Sequence, residues 1–500
     1  MKHALAWTAH RLGGGTLLLR LLLFELVWLL PRQPVAYWIS FSVPRFIEIR
    51  MPALYPYIGP FFDADLTPAF WLATVLVLVA TGARLSPRRS KMDTKRKSAK
   101  ASKPSPSSRS EDAFPLWYVS QGRFITRMLT LTLIFTPIAW AIRVGLSAQA
   151  AARVRAELQR AFPQVANEDK ETFALESPFS LQAHVTNTFG GFEPIEPNFT
   201  LPFKRVETEH ESMCGPESWM VSLPGDTYFV SNRRETEQGN LKLDVYHPRA
   251  PHRSGRSPIV LHVHGGGWRK GDRSFIRINY HGGLPKFLLE TGFTIVSVSY
   301  RLACMGIEPM DMVADIKDAI EYVQRNAALW GANPDAIIPL GTSAGGHLVL
   351  LAALRNNMRA VRGVVSLYGV AELRKDDLLS RLPLGWAGLH AQFFVEATRH
   401  VCHVHTFDSE DECFREISPL AHVHAKAPPV LMIHAVSDPL VLIEQARWLN
   451  ASLGAAGVPA ALVEVVGSHD CDAHVSSLCA QTTLYAFERF AKAVLPAHAV

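Results

Sequence analysis

Residues 335–352, DAIIPLGTSAGGHLVLLA, constrain the fold more than any other stretch, because a β run meets a helix-forming run across a turn built of small residues. The apolar run at 336–340 enters Gly341-Thr342-Ser343-Ala344-Gly345, which has the G-x-S-x-G spacing of a nucleophile elbow. Glycines two places before and two after the serine let main chain pass main chain. The Ser343 hydroxyl then stands at a strained corner over a helix N-terminus. Further apolar β runs at 259–264, 293–300, 361–368, 430–434 and 460–466 alternate with helical stretches. That alternation predicts an α/β architecture with a doubly wound, mostly parallel sheet.

Upstream of the serine, the run at 259–264 ends in His264-Gly265-Gly266-Gly267-Trp268. Glycine turns after strands occur in many α/β proteins, but this one precedes a serine elbow by two βα units. Acyl transfer builds negative charge on a carbonyl oxygen, and preset N–H donors stabilise it better than water does. The N–H groups of Gly266, Gly267 and Ala344 are the candidate oxyanion donors.

A serine hydroxyl also needs a histidine to take its proton and a carboxylate to orient that histidine. With the order Ser, acid, His, the strand at 429–434 runs into Ala435-Val436-Ser437-Asp438, which makes Asp438 the acid. The last strand, 460–466, runs into Gly467-Ser468-His469-Asp470 ahead of a long helix at 473–493, which makes His469 the base. Asp470 and His474 are the substitutes. His434 falls inside a strand and reads as a core or hydrogen-bonded residue. His400, Cys402, His403 and His405, like His422 and His424, alternate as ordinary strand or loop residues do. With no H-E-x-x-H or paired C-x-x-C, no metal is expected. There is no P-loop, G-x-G-x-x-G or EF-hand either, so no cofactor is expected.

With Ser299-Tyr300-Arg301-Leu302 at a strand end and Met312-Val313-Ala314-Asp315-Ile316-Lys317-Asp318 on the next helix, these motifs resemble the α/β-hydrolase superfamily. More narrowly they resemble its carboxylesterases of the isoprenylcysteine methylesterase and feruloyl or acetyl-xylan esterase kind, over residues 240–495. The resemblance implies an α/β-hydrolase fold, a triad of Ser343, Asp438 and His469, and an oxyanion hole of Gly266, Gly267 and Ala344. It implies a serine hydrolase that cleaves small-molecule or lipid-like carboxylic esters through an acyl-enzyme. Two departures stand out: Thr342 occupies a position that is usually acidic in hormone-sensitive-lipase-like esterases, and residues 371–427 match no familiar lid. The latter read as a lid insertion. An amide or aryl-formamide hydrolase would use the same triad, and a silent adhesion or scaffold protein would keep the fold without the chemistry.

The chain has 48% hydrophobic residues and a mean hydropathy of +0.08, high for a soluble enzyme of 500 residues. The excess lies in apolar runs at 16–30, 66–83 and 128–146, read as transmembrane helices because a bilayer core takes about 20 apolar residues. The first run holds Arg20 and Glu25 and is followed by Pro31-Arg32-Gln33-Pro34 rather than a small-residue cleavage site, which favours a retained helix over a signal peptide. Residues 84–127 carry twelve Lys or Arg against Asp93, Glu111 and Asp112. This Ser/Pro/Lys-rich loop is expected to be disordered, cytosolic and close to anionic lipid rather than nucleic acid. The following domain would then be lumenal or extracellular in a multi-pass protein of the endoplasmic reticulum or another endomembrane.

Cys214, Cys304, Cys402, Cys413, Cys471 and Cys479 all lie beyond the third run, as do the sequons at Asn198 and Asn450. Proximity in sequence suggests Cys402–Cys413 and Cys471–Cys479 among fifteen possible pairings. The organisation expected is a membrane region at 1–146, a stalk and proline-containing irregular linker at 147–225, and an α/β-hydrolase domain at 226–500 opening with a strand pair at 227–231 and 241–246. The sequence leaves the oligomeric state open.

Overall fold

The structure, a computed structural model, describes residues 145, 148–165, 174–180, 182, 195–206, 239–249, 255–269, 271–279, 283–305, 307–374, 401–402, 412–436, 438, 440–467, 469–472 and 477–496. The apolar runs at 16–30 and 66–83, the loop at 84–127 and, apart from Gly145, the run at 128–146 lie outside them. Among the described residues no helix is long and apolar enough to cross a membrane.

The described residues form one eight-stranded sheet of β1 (Phe199–Arg205), β2 (Asn240–Tyr246), β3 (Ser257–Val263), β4 (Thr294–Val298), β5 (Ala332–Thr342), β6 (Val364–Leu367), β7 (Val430–Ala435) and β8 (Ala460–Val465). Its order is β1-β2-β4-β3-β5-β6-β7-β8. The first two strands join antiparallel and the rest pair in parallel. All seven residues of β3 are buried, as expected for a parallel strand covered on both faces.

Helices cover both faces because successive strand residues point opposite ways. Ile259, Leu261 and Val263 pack with α2 (Pro309–Asn326), α3 (Ala344–Arg355) and α4 (Ile443–Ala455) through Ile316, Leu348 and Leu449. Val260 faces the other layer, where α1 (Gly283–Glu290) and α5 (Leu478–Val494) contribute Leu288, Phe487 and Phe490. The result is the mostly parallel α/β sheet that the alternation predicted.

The described residues of the segment at 147–225 differ from a stalk. Val154, Leu158 and Phe162 are buried against the sheet layer holding α5, with the Phe162 ring edge-on to Phe490 at 5.4 Å. Strand β1, at 199–205, also lies in the stretch read as irregular, and it rather than 227–231 pairs with β2; residues 227–231 lie outside the described residues. Pro202 disguised it in the sequence. Proline is tolerated on an edge strand or at a bulge, and the register of β1 shifts between Pro202 and Lys204.

Two pieces of the resemblance outside the triad, Arg301 at the end of β4 and Asp315 on α2, are structural. Arg301 grips the buried Asp315 of α2 in two hydrogen bonds of 2.9 and 2.8 Å, and Lys204 of β1 reaches the same carboxylate at 2.6 Å. One acid thus ties together the end of β4, a helix and the edge strand.

Candidate active site

Every site residue expected from the sequence sits at the carboxyl end of a parallel strand: the glycine loop after β3, Ser343 after β5, Asp438 after β7 and His469 after β8. This is the edge at which open α/β sheets bind ligands. Ser343 has a φ of 51°, in the left-handed region that strains an L residue. Its N–H donates to Leu367 O at 2.9 Å, and its carbonyl accepts from the His347 N–H at 3.0 Å, which clamps the turn to β6 and opens α3.

The flanking glycines are dictated by backbone contact. A Cβ on Gly341 would lie 2.2 Å from Gly345 O, and one on Gly345 would lie 2.1 Å from Val263 O. No flexible side chain is there to yield, so Gly345→Ala is expected to cost more than the roughly 1–3 kcal/mol of ordinary overpacking. The thermal midpoint should drop by roughly 5 °C or more, given about 2–4 °C per kcal/mol for a domain of this size. Gly454→Ala, on α4 with open space around it, should hold the midpoint or raise it. Equal midpoints for the two variants in a thermal scan would contradict this close passage.

The glycine loop lies against the elbow: a Cβ on Gly265 would be 3.0 Å from Thr342 O and 3.3 Å from Ser343 Cβ. Gly266 and Gly267 follow at φ of 112° and 60°, values that suit glycine. Among the described residues the N–H groups of Gly266, Gly267 and Ala344 donate no turn, loop or cap backbone hydrogen bond. Ala344 is the first residue of α3, where amides lack intrahelical acceptors and the helix dipole favours negative charge. The loop is braced by His264, whose Nδ1–H donates to Gly265 O at 2.8 Å, and by the Tyr300 hydroxyl, which donates to His264 O at 3.1 Å. Burial pushes the His264 imidazole down to about 4, so it stays neutral.

Ser343, His469 and Asp438 are brought together. His469 Nδ1–H donates to Asp438 Oδ2 at 2.7 Å, and His469 Nε2 lies 3.0 Å from Ser343 Oγ, the proton of which it accepts when the imidazole is neutral. Asp438 is fully buried. Its Oδ1 accepts from the N–H groups of Leu440 and Val441 at 2.8 and 2.9 Å. His434, foreseen only as a core or hydrogen-bonded residue, also faces Asp438: its Nε2 is 3.3 Å from Oδ2 and donates to Val441 O at 2.7 Å. Burial opposes the Asp438 charge, but the His469 and His434 imidazoles hold the carboxyl well below the usual carboxylate range.

Burial works in the opposite sense on His469. It disfavours the imidazolium, yet the charges of Asp438, Asp470 and Asp472 outweigh it and push the histidine up to about 9. Asp472 is itself pushed up to about 7, by burial first and by Asp470 second. The Tyr368 ring meets His469 edge-on at 4.6 Å. Trp268, Ser343, Tyr368 and Asp470, the non-glycine residues with positive φ among those described, all border this site. Strained backbone concentrated at one place is a mark of function that a sequence does not display.

Both disulfides suggested by proximity are present, Cys402–Cys413 at 2.06 Å and Cys471–Cys479 at 2.05 Å. The second ties the His469 loop to the start of α5, where Ser477 Oγ caps the helix at Ala480 N–H and donates to Cys471 O. His422 and His424 donate to the carbonyls of Glu416 and Leu354. His400, His403, His405 and His474 lie outside the described residues, and Asp470 is exposed. Of the insertion at 371–427, residues 371–374, 401–402 and 412–427 are described; its buried Glu372 accepts from Ser418 Oγ and pairs with Arg374. The sequons differ: Asn198 is exposed ahead of β1, whereas Asn450 is half-buried within α4 with its amide oxygen out of solvent.

A serine at a strand-to-helix elbow, facing a histidine and an aspartate from later strands of a mostly parallel sheet, is the arrangement of the α/β-hydrolase class, and the chain is similar to the carboxylesterases of that superfamily. Residues 243–453 match the BD-FAE family. Esterase LipQ of Mycobacterium tuberculosis is 31% identical over 257 residues, covering 49% of this chain and 55% of that one. Isoprenylcysteine alpha-carbonyl methylesterase ICME of Arabidopsis thaliana is 26% identical over 274 residues, covering 51% of this chain and 61% of its own. Among solved structures, the apo form of Thermogutta terrifontis esterase 2 aligns at a TM-score of 0.41 and 23% identity, covering 55% of this chain and 96% of that one. The chain spans 55% and 61% of the length of these two curated relatives, and less than half of several others it matches.

Proposed function

We propose that this chain is a serine esterase that hydrolyses carboxylic esters through an acyl-enzyme. The observation that carries this reading is the unbroken line from Asp438 Oδ2 through His469 to Ser343 Oγ, at 2.7 and 3.0 Å, beside the glycine loop. In the first half-reaction Ser343 Oγ attacks the ester carbonyl carbon as its proton passes to His469 Nε2. The oxyanion rests on the N–H groups of Gly266, Gly267 and Ala344, and the C–O bond to the alcohol breaks as His469 returns the proton to it. Water then repeats the sequence on the acyl-serine, releasing the acid and restoring the hydroxyl. Asp438 stays ionised and keeps the Nδ1 proton in place.

Turnover of p-nitrophenyl acetate, measured beside a matched aryl formamide, tests the reaction class. Higher kcat/KM on the ester supports the esterase, and higher kcat/KM on the formamide would make the chain an amide hydrolase on the same triad. Covalent labelling by a fluorophosphonate, mapped to Ser343 by mass spectrometry, separates either enzyme from a silent scaffold.

Only neutral His469 can take the serine proton. Because the acidic surroundings raise its pKa to about 9, kcat/KM should climb about tenfold per pH unit from neutrality toward pH 9, with the acid limb well above the 6.5 of an ordinary histidine. Removing one nearby charge with Asp470→Asn should move that limb to lower pH. A limb at or below 6.5 in a profile over pH 5–10 would contradict the acidic environment.

The reading extends to location: a multi-pass membrane protein with helices at 16–30, 66–83 and 128–146, a cytosolic basic loop and a lumenal or extracellular domain. Its supports are the length of the apolar runs, the charge of residues 84–127 and the disulfides of the domain, which suit an oxidising compartment. Protection of the domain from protease in intact microsomes is the expected result; digestion without detergent would reverse the orientation.

A further inference from the structure

His347 is the fourth residue after Ser343 and has no place in the proton relay, yet it is buried and uses both ring nitrogens. The Trp268 indole N–H donates to His347 Nδ1 at 3.1 Å, with the two rings perpendicular and 5.3 Å apart. An indole nitrogen can only donate, so Nδ1 carries the lone pair and the ring proton sits on Nε2. That Nε2–H donates to Ile417 O at 2.6 Å. One tautomer therefore satisfies both bonds. Burial pushes the imidazole down to about 4, against the pull of the Ile417 carbonyl, so it keeps that tautomer across the working range.

His347 and its two partners belong to three separate segments. Trp268 follows Gly266 and Gly267 directly, and its own backbone is held at a φ of 60°, a conformation a bulky residue keeps only when its surroundings impose it. Its carbonyl accepts from the Ala303 N–H at 2.8 Å, and the Gly266 carbonyl accepts from the Arg269 N–H at 3.2 Å, so the loop is a tight turn with the indole as its anchor. His347 sits one turn into α3, its N–H bonded to Ser343 O. Ile417 belongs to the insertion, and its N–H donates to the carbonyl of Cys413, which is disulfide-bonded to Cys402.

We infer that His347 is a positioning residue that sets the distance between the oxyanion glycines and Ser343, by holding the Trp268 indole from the helix that the nucleophile itself begins. This rests on the esterase reading and adds to it a reason for the residues just beyond each motif. The glycine amides must lie within about 0.5 Å of their productive place to serve the transition state. Neither glycine has a side chain to fix it, so the indole–imidazole hydrogen bond adds a side-chain restraint to the backbone bonds at Gly266 O and Trp268 O.

The decisive variants are Trp268→Phe, which removes one N–H and keeps an aromatic ring, His347→Leu, which removes both bonds, and His347→Gln, whose amide can accept from the indole and donate to Ile417. On p-nitrophenyl butyrate, Trp268→Phe should lower kcat about tenfold and His347→Leu about a hundredfold, with KM within twofold, while His347→Gln recovers most of the loss. The Ki of a trifluoromethyl ketone, whose tetrahedral adduct places an oxyanion on the glycine amides, should rise in parallel with the fall in kcat/KM. If His347→Leu unfolds, Trp268→Phe decides alone. Full kcat and unchanged Ki in Trp268→Phe would overturn the inference and leave the esterase intact, and so would a loss expressed in KM alone. A wild type that neither turns over ester nor reacts with a fluorophosphonate would fell the esterase reading and this inference with it.

Discussion

Ser343→Ala should abolish fluorophosphonate labelling and lower ester turnover by about 10⁶ in kcat, the scale reached when the nucleophile of a serine hydrolase is removed. The variant is a clean one. Alanine keeps the Cβ, so the backbone at φ 51° and its bonds to Leu367 and His347 are left as they are, and the atom removed has His469 Nε2 as its hydrogen-bond partner. The thermal midpoint should therefore stay within about 2 °C of wild type, a shift of less than roughly 1 kcal/mol. A remnant of activity, about 10³ to 10⁴ above water, should persist from the oxyanion donors and binding alone. His469→Ala should fall to a similar level, and the double variant little further, because the two residues act as one unit. Equal labelling of wild type and Ser343→Ala would remove Ser343 from the chemistry, and with it the enzyme reading.

The parts of this site legible in the sequence are those that recur at fixed spacing on one strand end. The elbow glycines announce themselves because backbone atoms pass at 2.1 and 2.2 Å from where a side chain would begin. Asp438 and His469 followed from chain order and from the loops that end β7 and β8. What stayed hidden depends on contacts between distant segments. His434 reads as a core or hydrogen-bonded residue, and its partner shows only when β7 and its loop bring it to 3.3 Å from Asp438 Oδ2. His347 reads as one more helix residue until Trp268, 79 positions earlier, reaches it. Strand β1 was obscured by Pro202, which a central strand would not accept but an edge strand with a bulge does. The helix at 148–161 looked like a stalk because its large apolar residues, Val154 and Leu158, are few, and only the fold reveals that they meet the layer holding α5.

Asp438→Asn should cost about 10⁴ in kcat, the loss seen when a buried triad carboxylate becomes an amide in a comparable hydrolase. Both carboxylate oxygens accept: Oδ1 from the N–H groups of Leu440 and Val441, Oδ2 from His469 Nδ1–H with His434 Nε2 beside it. An amide cannot replace both. If its oxygen keeps the two backbone donors, its NH₂ faces His469 and drives the ring proton onto Nε2, where it can no longer take the serine proton. If it turns the other way, its NH₂ is set against two backbone N–H groups. Either arrangement leaves buried donors unmatched, at roughly 1–3 kcal/mol each, so a lower thermal midpoint should accompany the lost turnover. The variant also removes the charge that does most to hold the His469 proton, so the acid limb of the residual activity should move down from the wild-type limb near pH 9. The sign follows from the charge: without a carboxylate beside it, the imidazolium is less stable and deprotonates at lower pH. Steady-state kcat between pH 5 and 10 for wild type and Asp438→Asn reads both effects at once. A loss smaller than tenfold, or an acid limb that does not move, would mean that another acid orients His469.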